Sequence, residues 1–132
     1  MNILNTGYAL KLRKPFIQIL QKALEQAEGL SGSVILSFKD PEYSYETGGF
    51  HPVEIMISAS GQIHYITDFS YVGTPPFVEL EKELDFDFSL GVFQQFGREY
   101  PITEAWELFQ VWQKNFCAHF AMDIYQVTVS QA

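Results

Sequence analysis

The sequence predicts an α+β fold: an antiparallel meander sheet of about five to seven strands, with an N-terminal helix and a long C-terminal helix packed on one face. Three observations carry this. Val53, Ile55, Ile57 and Ala59 alternate with polar or intervening residues, and a second alternating run follows from Ile63. A period of two marks a strand with one buried face. Phe16, Ile19, Leu20, Ala23, Leu24 and Ala27 recur at helical spacing, as do Ala105, Phe109, Trp112, Phe116 and Phe120. With 132 residues and 47% hydrophobic residues, the chain has the size and apolar content of a single domain, 1–132, with its own core.

In chain order, residues 1–14 read as irregular or extended, with a basic cluster at Lys11, Arg13 and Lys14. Pro15 suits a first helical position, because its missing N–H has no helical partner there. The helix is predicted from about Pro15 to Glu28, with Gly29 as its C-cap. Val34, Leu36 and Phe38 predict a strand that ends at Asp40-Pro41, and Tyr43–Thr47 predicts a second, short one before Gly48-Gly49. The central hairpin then runs from Val53 to Phe69 about a turn at Gly61.

Two hairpin registers compete. A two-residue turn at Ser60-Gly61 sets Val53 against Asp68. A three-residue turn with Gly61 left-handed sets Ile57 against Ile63, Ile55 against Tyr65 and Val53 against Thr67. The second gathers the apolar residues on one face and is the one expected, since a slip of one residue turns every side chain over. It puts His51 across from Phe69 and points Asp68 to the opposite face.

Beyond the hairpin, Gly73-Thr74-Pro75-Pro76 is expected to break the sheet. Residues 77–90 fit both periods and are divided into a helical turn or two up to Glu83 and a strand from Leu84 to Ser89. A short strand from Val92 to Phe96 follows Gly91. The last helix is predicted from Glu104 to about Met122, with Thr103 as N-cap and Trp106, Cys117 and Ala121 widening its apolar stripe. Tyr125, Val127 and Val129 predict a closing strand.

Charge narrows the function classes. The net charge is −8. Residues 1–39 carry five basic and two acidic side chains, whereas residues 40–132 carry three basic and fourteen acidic ones. Such a body repels a nucleic-acid backbone or an anionic membrane and suits a basic protein partner. The single cysteine, Cys117, allows no intramolecular disulfide and reads as a core residue. Neither a membrane-length apolar run nor a secretion signal is found, so the expected compartment is the cytoplasm.

Among chemistry-bearing residues, His51, Glu54 and Asp68 form the best enzyme-like set, because a His–carboxylate pair suits general acid–base work. No Ser or Cys nucleophile accompanies them. Glu79, Glu81, Glu83, Asp85 and Asp87 lack the spacing of a calcium loop and read as a solvated acidic face. His64 and His119 stand alone, and no HxxxH or CxxC spacing suggests zinc. The candidate binding residues are therefore His51, Glu54, Asp68, Glu79, Glu83, Asp85 and Asp87. No catalytic, cofactor-binding or metal-ligating residue is assigned, and no cofactor is expected.

Four segments together carry a resemblance. They are residues 38–55, from Phe38-Lys39-Asp40-Pro41-Glu42-Tyr43 through Gly48-Gly49-Phe50-His51-Pro52 to Ile55; Tyr65-Ile66-Thr67-Asp68-Phe69; Asp85-Phe86-Asp87-Phe88-Ser89; and Trp112-Gln113-Lys114-Asn115-Phe116. The chain resembles, from about Val34 to Val129, a family of small uncharacterised proteins of Vibrio and related gammaproteobacteria that often lie on genomic islands. The resemblance implies a fold similar to the mitochondrial matrix acidic glycoprotein, also known as a complement-binding receptor: an antiparallel meander with helices at both chain ends, usually in an acidic oligomeric ring. The chain is shorter than that protein. The family has no assigned chemistry, so no catalytic residues carry over.

The leading expectation is a non-enzymatic acidic protein-interaction module that meets a basic partner and forms homo-oligomers through exposed aromatics. The alternative is a small-molecule-binding protein or enzyme with a pocket near His51 and Asp68. A third is a charge mimic of nucleic acid that acts on a DNA-binding protein.

Overall fold

The computed structural model describes residues 1–132. Helix α1 (Lys14–Ala23) runs into a 3-10 turn (Leu24–Ala27). There follow β1 (Val34–Lys39), β2 (Val53–Ile57), β3 (Ile63–Thr74), β4 (Phe77–Asp87), β5 (Val92–Gln95) and β6 (Arg98–Pro101). A 3-10 turn (Ile102–Ala105), helix α2 (Trp106–Ala121) and β7 (Gln126–Gln131) complete the chain. All strands join one antiparallel sheet in the order β6-β5-β4-β3-β2-β1-β7, so the α+β meander has seven strands.

Both helices cover one face of this sheet. The inward rows Val34, Leu36, Phe38 and Val53, Ile55, Ile57 are buried as their alternation requires. Phe16 of α1 and Phe109, Trp112 and Phe116 of α2 meet them in a chain of ring contacts. Phe16 packs edge-on to Trp112 with centroids 5.7 Å apart, Phe38 edge-on to Phe116 at 5.1 Å, and Phe86 against Phe109 at 4.8 Å. Edge-to-face rings are attractive beyond the area they bury. Trp106 does not share this stripe: it is exposed on the far side of the helix.

The segment before α1 is part of the core. Leu10 and Leu12 are buried, and fully buried Gln113 of α2 holds the backbone on either side of Leu12. Its Oε1 accepts the Arg13 N–H at 2.7 Å and its Nε2 donates to the Lys11 carbonyl at 3.1 Å. A polar side chain buried in a ring-filled core is tolerated because both ends of its amide are bonded.

Several expectations are corrected. Residues 77–83 form strand and not helix, because every residue from Phe77 to Lys82 pairs with β3. Gly73-Thr74-Pro75-Pro76 does not break the sheet. Thr74 pairs with Phe77, so Pro75-Pro76 is the tip of a long hairpin. From Phe69 to Lys82 that hairpin runs past β2 and β5 as a two-stranded arm, with Phe77 82% exposed near its tip. Tyr43–Thr47 forms a turn with one bridge, Ser44 to Gly48, in place of a strand. Thr103 does not cap α2; it lies within a 3-10 turn, and no side chain caps that helix. Strand β6 was not expected; its four residues are exposed and carry no alternation.

The central hairpin contains both competing registers. Ile57 pairs with Ile63 around a three-residue turn, with Gly61 at φ 89°. His64 is then an extra residue on β3, and pairing resumes as Met56–Tyr65, Ile55–Ile66 and Val53–Asp68. The bulge turns Tyr65 and Thr67 to the outer face and Ile66 and Asp68 toward the helices. The expectation that Asp68 points away from the core is thereby reversed.

Candidate functional site

A loop, two bulges and a helix build one site. Asp40 shapes the loop: its carboxylate accepts the Glu42 N–H at 2.9 Å and the Phe50 N–H at 3.0 Å. Gly49, at φ 129°, leaves room for this, since a Cβ there would stand 3.0 Å from Asp40 Oδ2 and from the Tyr43 Cα. The loop delivers Phe50 and His51 to the rim of β2. The bulge at His64 delivers Asp68. A second bulge lies opposite: Asp68 pairs with Leu84 but Phe69 with Lys82, which leaves Glu83 as the extra residue on β4. Bulges commonly re-aim side chains beside functional sites.

The three side chains meet. His51 Nδ1 lies 2.9 Å from Asp68 Oδ1 and 3.4 Å from Glu83 Oε2. The Trp112 indole N–H donates to the other Asp68 oxygen, Oδ2, at 2.9 Å. Asp68 is 8% exposed, and its partners come from the loop and α2, while Glu83 of β4 lies against His51. The hydrogen bond to Asp68 raises the His51 pKa above its ordinary value, against the opposing effect of burial. His119 on α2 shifts the other way, lowered chiefly by desolvation, and its ring lies 4.5 Å from that of Phe50.

These residues line a cavity of about 440 Å³ between sheet and α2. Its apolar walls include Phe50, Leu108, Val111 and Phe116, and Tyr125 closes one side. No Lys or Arg lines it. Both ion pairs in the structure involve His51, so neither Asp68 nor Glu83 has a lysine or arginine partner.

The seven candidate binding residues divide. His51, Asp68 and Glu83 share the cavity. Glu54 and Asp85 lie on the opposite, outer face of the sheet: Glu54 Oε2 accepts the Tyr65 hydroxyl at 2.6 Å, and Asp85 Oδ1 accepts the buried Thr67 hydroxyl at 2.9 Å. Burial raises the Asp85 pKa, and the Thr67 bond opposes it. Asp87 ties down the β4–β5 turn through Ser89 Oγ and the Leu90 N–H. Glu79 stands on the exposed arm opposite Val72. Sequence reasoning missed Trp112 as a polar partner, since a tryptophan in an aromatic stripe carries no sign of where its N–H points. It also missed Glu83 as distinct from its acidic neighbours, because a bulge leaves no mark in the alternation.

The signature of a family described as proteins of unknown function, DUF2787, matches residues 14–130, which span both helices, β1 to β6 and all but the last residue of β7. The fold is similar to that of the hypothetical protein VC0508 from the VSP-II pathogenicity island of Vibrio cholerae, with 35% identity and a TM-score of 0.83, covering 97% of this chain and 100% of that one. It is similar also to the conserved hypothetical protein VC1805 from pathogenicity island VPI-2 of Vibrio cholerae O1, with 40% identity and a TM-score of 0.81, covering 96% of this chain and 100% of that one. VC1805 is itself described as sharing structural homology with the human P32 protein. No curated protein matches the chain.

Proposed function

The chain belongs to the DUF2787 family of proteins of unknown function, and we propose that it is a non-enzymatic binding protein whose cavity takes a small positively charged ligand. One observation carries this reading: buried Asp68 and neighbouring Glu83 face a cavity that no Lys or Arg lines. Charge taken out of water costs several kcal/mol per ion, on the order of magnitude found for buried pairs, unless it is compensated. A protonated His51 offsets one of the two carboxylates. A cation in the cavity offsets the other.

The walls agree with this. A cavity of about 440 Å³ lies within the size range of small-molecule sites. Phe50 and Tyr125 line it, and aromatic rings attract cations held over them. The lining holds no Ser, Cys or Lys; its nucleophilic groups are limited to carboxylate, His and Tyr side chains.

The test is an NMR titration that follows the Trp112 indole N–H, which touches Asp68 directly. Methylammonium and tetramethylammonium are expected to shift this signal with saturation, and Asp68→Asn to abolish the effect. Acetate and phosphate at equal ionic strength are expected to leave it in place. Anions acting as strongly as cations, or no cation acting at all, refutes the reading.

A second reading rests on the opposite face. Glu54, partly exposed there, and the fourteen carboxylates of residues 40–132 suit a basic protein partner. The exposed arm, with Phe77 near its tip, suits self-association into a homo-oligomer. Retention of basic host proteins on the immobilised chain at low but not high salt supports the first part, and light scattering decides the second. No helix is long and apolar enough to cross a membrane. A cytoplasmic setting, where Cys117 stays reduced, fits both readings.

A further inference from the structure

We infer that His51, Asp68 and Glu83 together hold a divalent transition metal of the zinc or manganese type. The inference rests on the cation-binding reading and names its ligand. One donor atom from each of the three residues lies within 4.8 Å of the other two. The His51–Asp68 and His51–Glu83 separations are 2.9 and 3.4 Å. Nitrogen and oxygen donors about 2.0–2.2 Å from one metal stand roughly 2.8–3.6 Å apart at adjacent tetrahedral or octahedral corners. Both short separations fall within that interval, so a metal enters after small side-chain movements.

The donor chemistry selects the ion. Binding releases the His51 Nδ1 proton to solvent; the two carboxylates then cancel the charge of a divalent cation, and the imidazole favours zinc or iron over magnesium while the carboxylates also suit manganese. Calcium calls for six to eight oxygens, more than the cluster provides, and soft Cu(I) calls for sulfur.

The surroundings of the cluster match those of metal ligands. Trp112 Nε1 holds Asp68 Oδ2 at 2.9 Å and leaves Oδ1 aimed at His51. A ligating carboxylate anchored by such an outer hydrogen bond is a recurring feature of metal centres. His51 is anchored in turn by the loop that Asp40 shapes, and its ring packs 5.4 Å from that of Tyr43. All three ligands border the cavity, so the remaining coordination positions open onto it. The residues lie 17 and 15 positions apart on separate segments, which is why no metal-binding spacing is visible in the chain.

The experiment is isothermal titration of the chelator-stripped protein with zinc chloride and manganese chloride, with methylammonium chloride as a separate arm. One equivalent of zinc or manganese is expected to bind at micromolar or tighter affinity. Glu83→Gln and His51→Gln are each expected to weaken it at least tenfold, while Glu79→Gln, on the exposed arm outside the cavity, leaves it unchanged. The side chains of Glu83 and His51 are partly exposed, so neither substitution removes a core residue. Cobalt substituted for zinc is expected to give visible d–d absorption that Glu83→Gln alters. Failure of both metals to bind, or binding that survives both substitutions, overturns the inference. If methylammonium binds under those conditions the cation reading stands alone; if it also fails, both fall.

Discussion

The three-residue turn at Gly61 gives the sharpest quantitative expectation. Gly61 sits at φ 89°, and a Cβ there would lie 1.9 Å from the Asn2 carbonyl oxygen. That contact is with backbone, which cannot rotate away. Gly61→Ala therefore incurs about 1–2 kcal/mol for a left-handed non-glycine residue. It also displaces residues 1–4, which are fastened here by the Leu4 N–H bond to the Gly61 carbonyl at 2.9 Å. Losing that bond costs about 1 kcal/mol. Loosening the buried Ile3 side chain beside it adds about 1–2 kcal/mol. The total is about 3–5 kcal/mol, or a fall in Tm of roughly 10–15 °C for a chain of this size. Gly91 is the control: it has φ 71°, but a Cβ there would meet nothing within 4 Å, so Gly91→Ala is expected to cost only about 1–2 kcal/mol. Urea unfolding of both variants measures the difference. Equal losses at the two positions would show that the docked N-terminal segment contributes nothing and would refute the reasoning.

Further expectations concern two buried polar groups and two histidines. Gln113→Leu leaves the Arg13 N–H without its partner and removes one of two donors to the Lys11 carbonyl; a loss of about 2–4 kcal/mol is expected from the orphaned groups, read by chemical denaturation. Thr67→Val removes the donor that lowers the Asp85 pKa, so that pKa, already raised by burial, is expected to rise further in carbonyl NMR titration; an unchanged value would refute the assignment. In metal-free buffer with chelator, the raised pKa of His51 makes its contribution complete below the unfolded value of 6.5 and lost as pH rises through the higher folded value. Tm is therefore expected to decline across that window and His51→Gln to flatten the decline. His119, with its lowered pKa, acts at the other end: its contribution is present above 6.5 and lost as pH falls.

Much of the architecture was legible because burial on one face writes itself into alternation. Val34–Phe38, Val53–Ile57 and the stripe Phe109–Trp112–Phe116 all fold as their spacing requires. Residues 77–83 fit the helical and the strand period alike, and along β4 of the arm no residue from Phe77 to Lys82 is buried, so no buried row decides between the two. The site was half legible. His51 and Asp68 were named together, yet the alternation put Asp68 on the wrong face. The bulge at His64 sums two registers that the chain presents as alternatives, and only the packing of Ile66 against the core selects where the change falls. Glu83 was visible only as one acid in a run of five, since its distinction is its place at the second bulge.

The strand order has a consequence for how the molecule comes together. β1 is bonded on one side by β2, close in sequence, and on the other by β7, with Val34 opposite Gln131. Until residues 126–131 emerge from the ribosome, the outer rim of β1 offers unmet N–H and C=O groups to any passing extended segment. Pairings between such remote residues form slowly. The hazard in biosynthesis is thus concentrated at one rim of the sheet, and deletion of residues 126–131 should make the protein associate through β1 more than the full chain does.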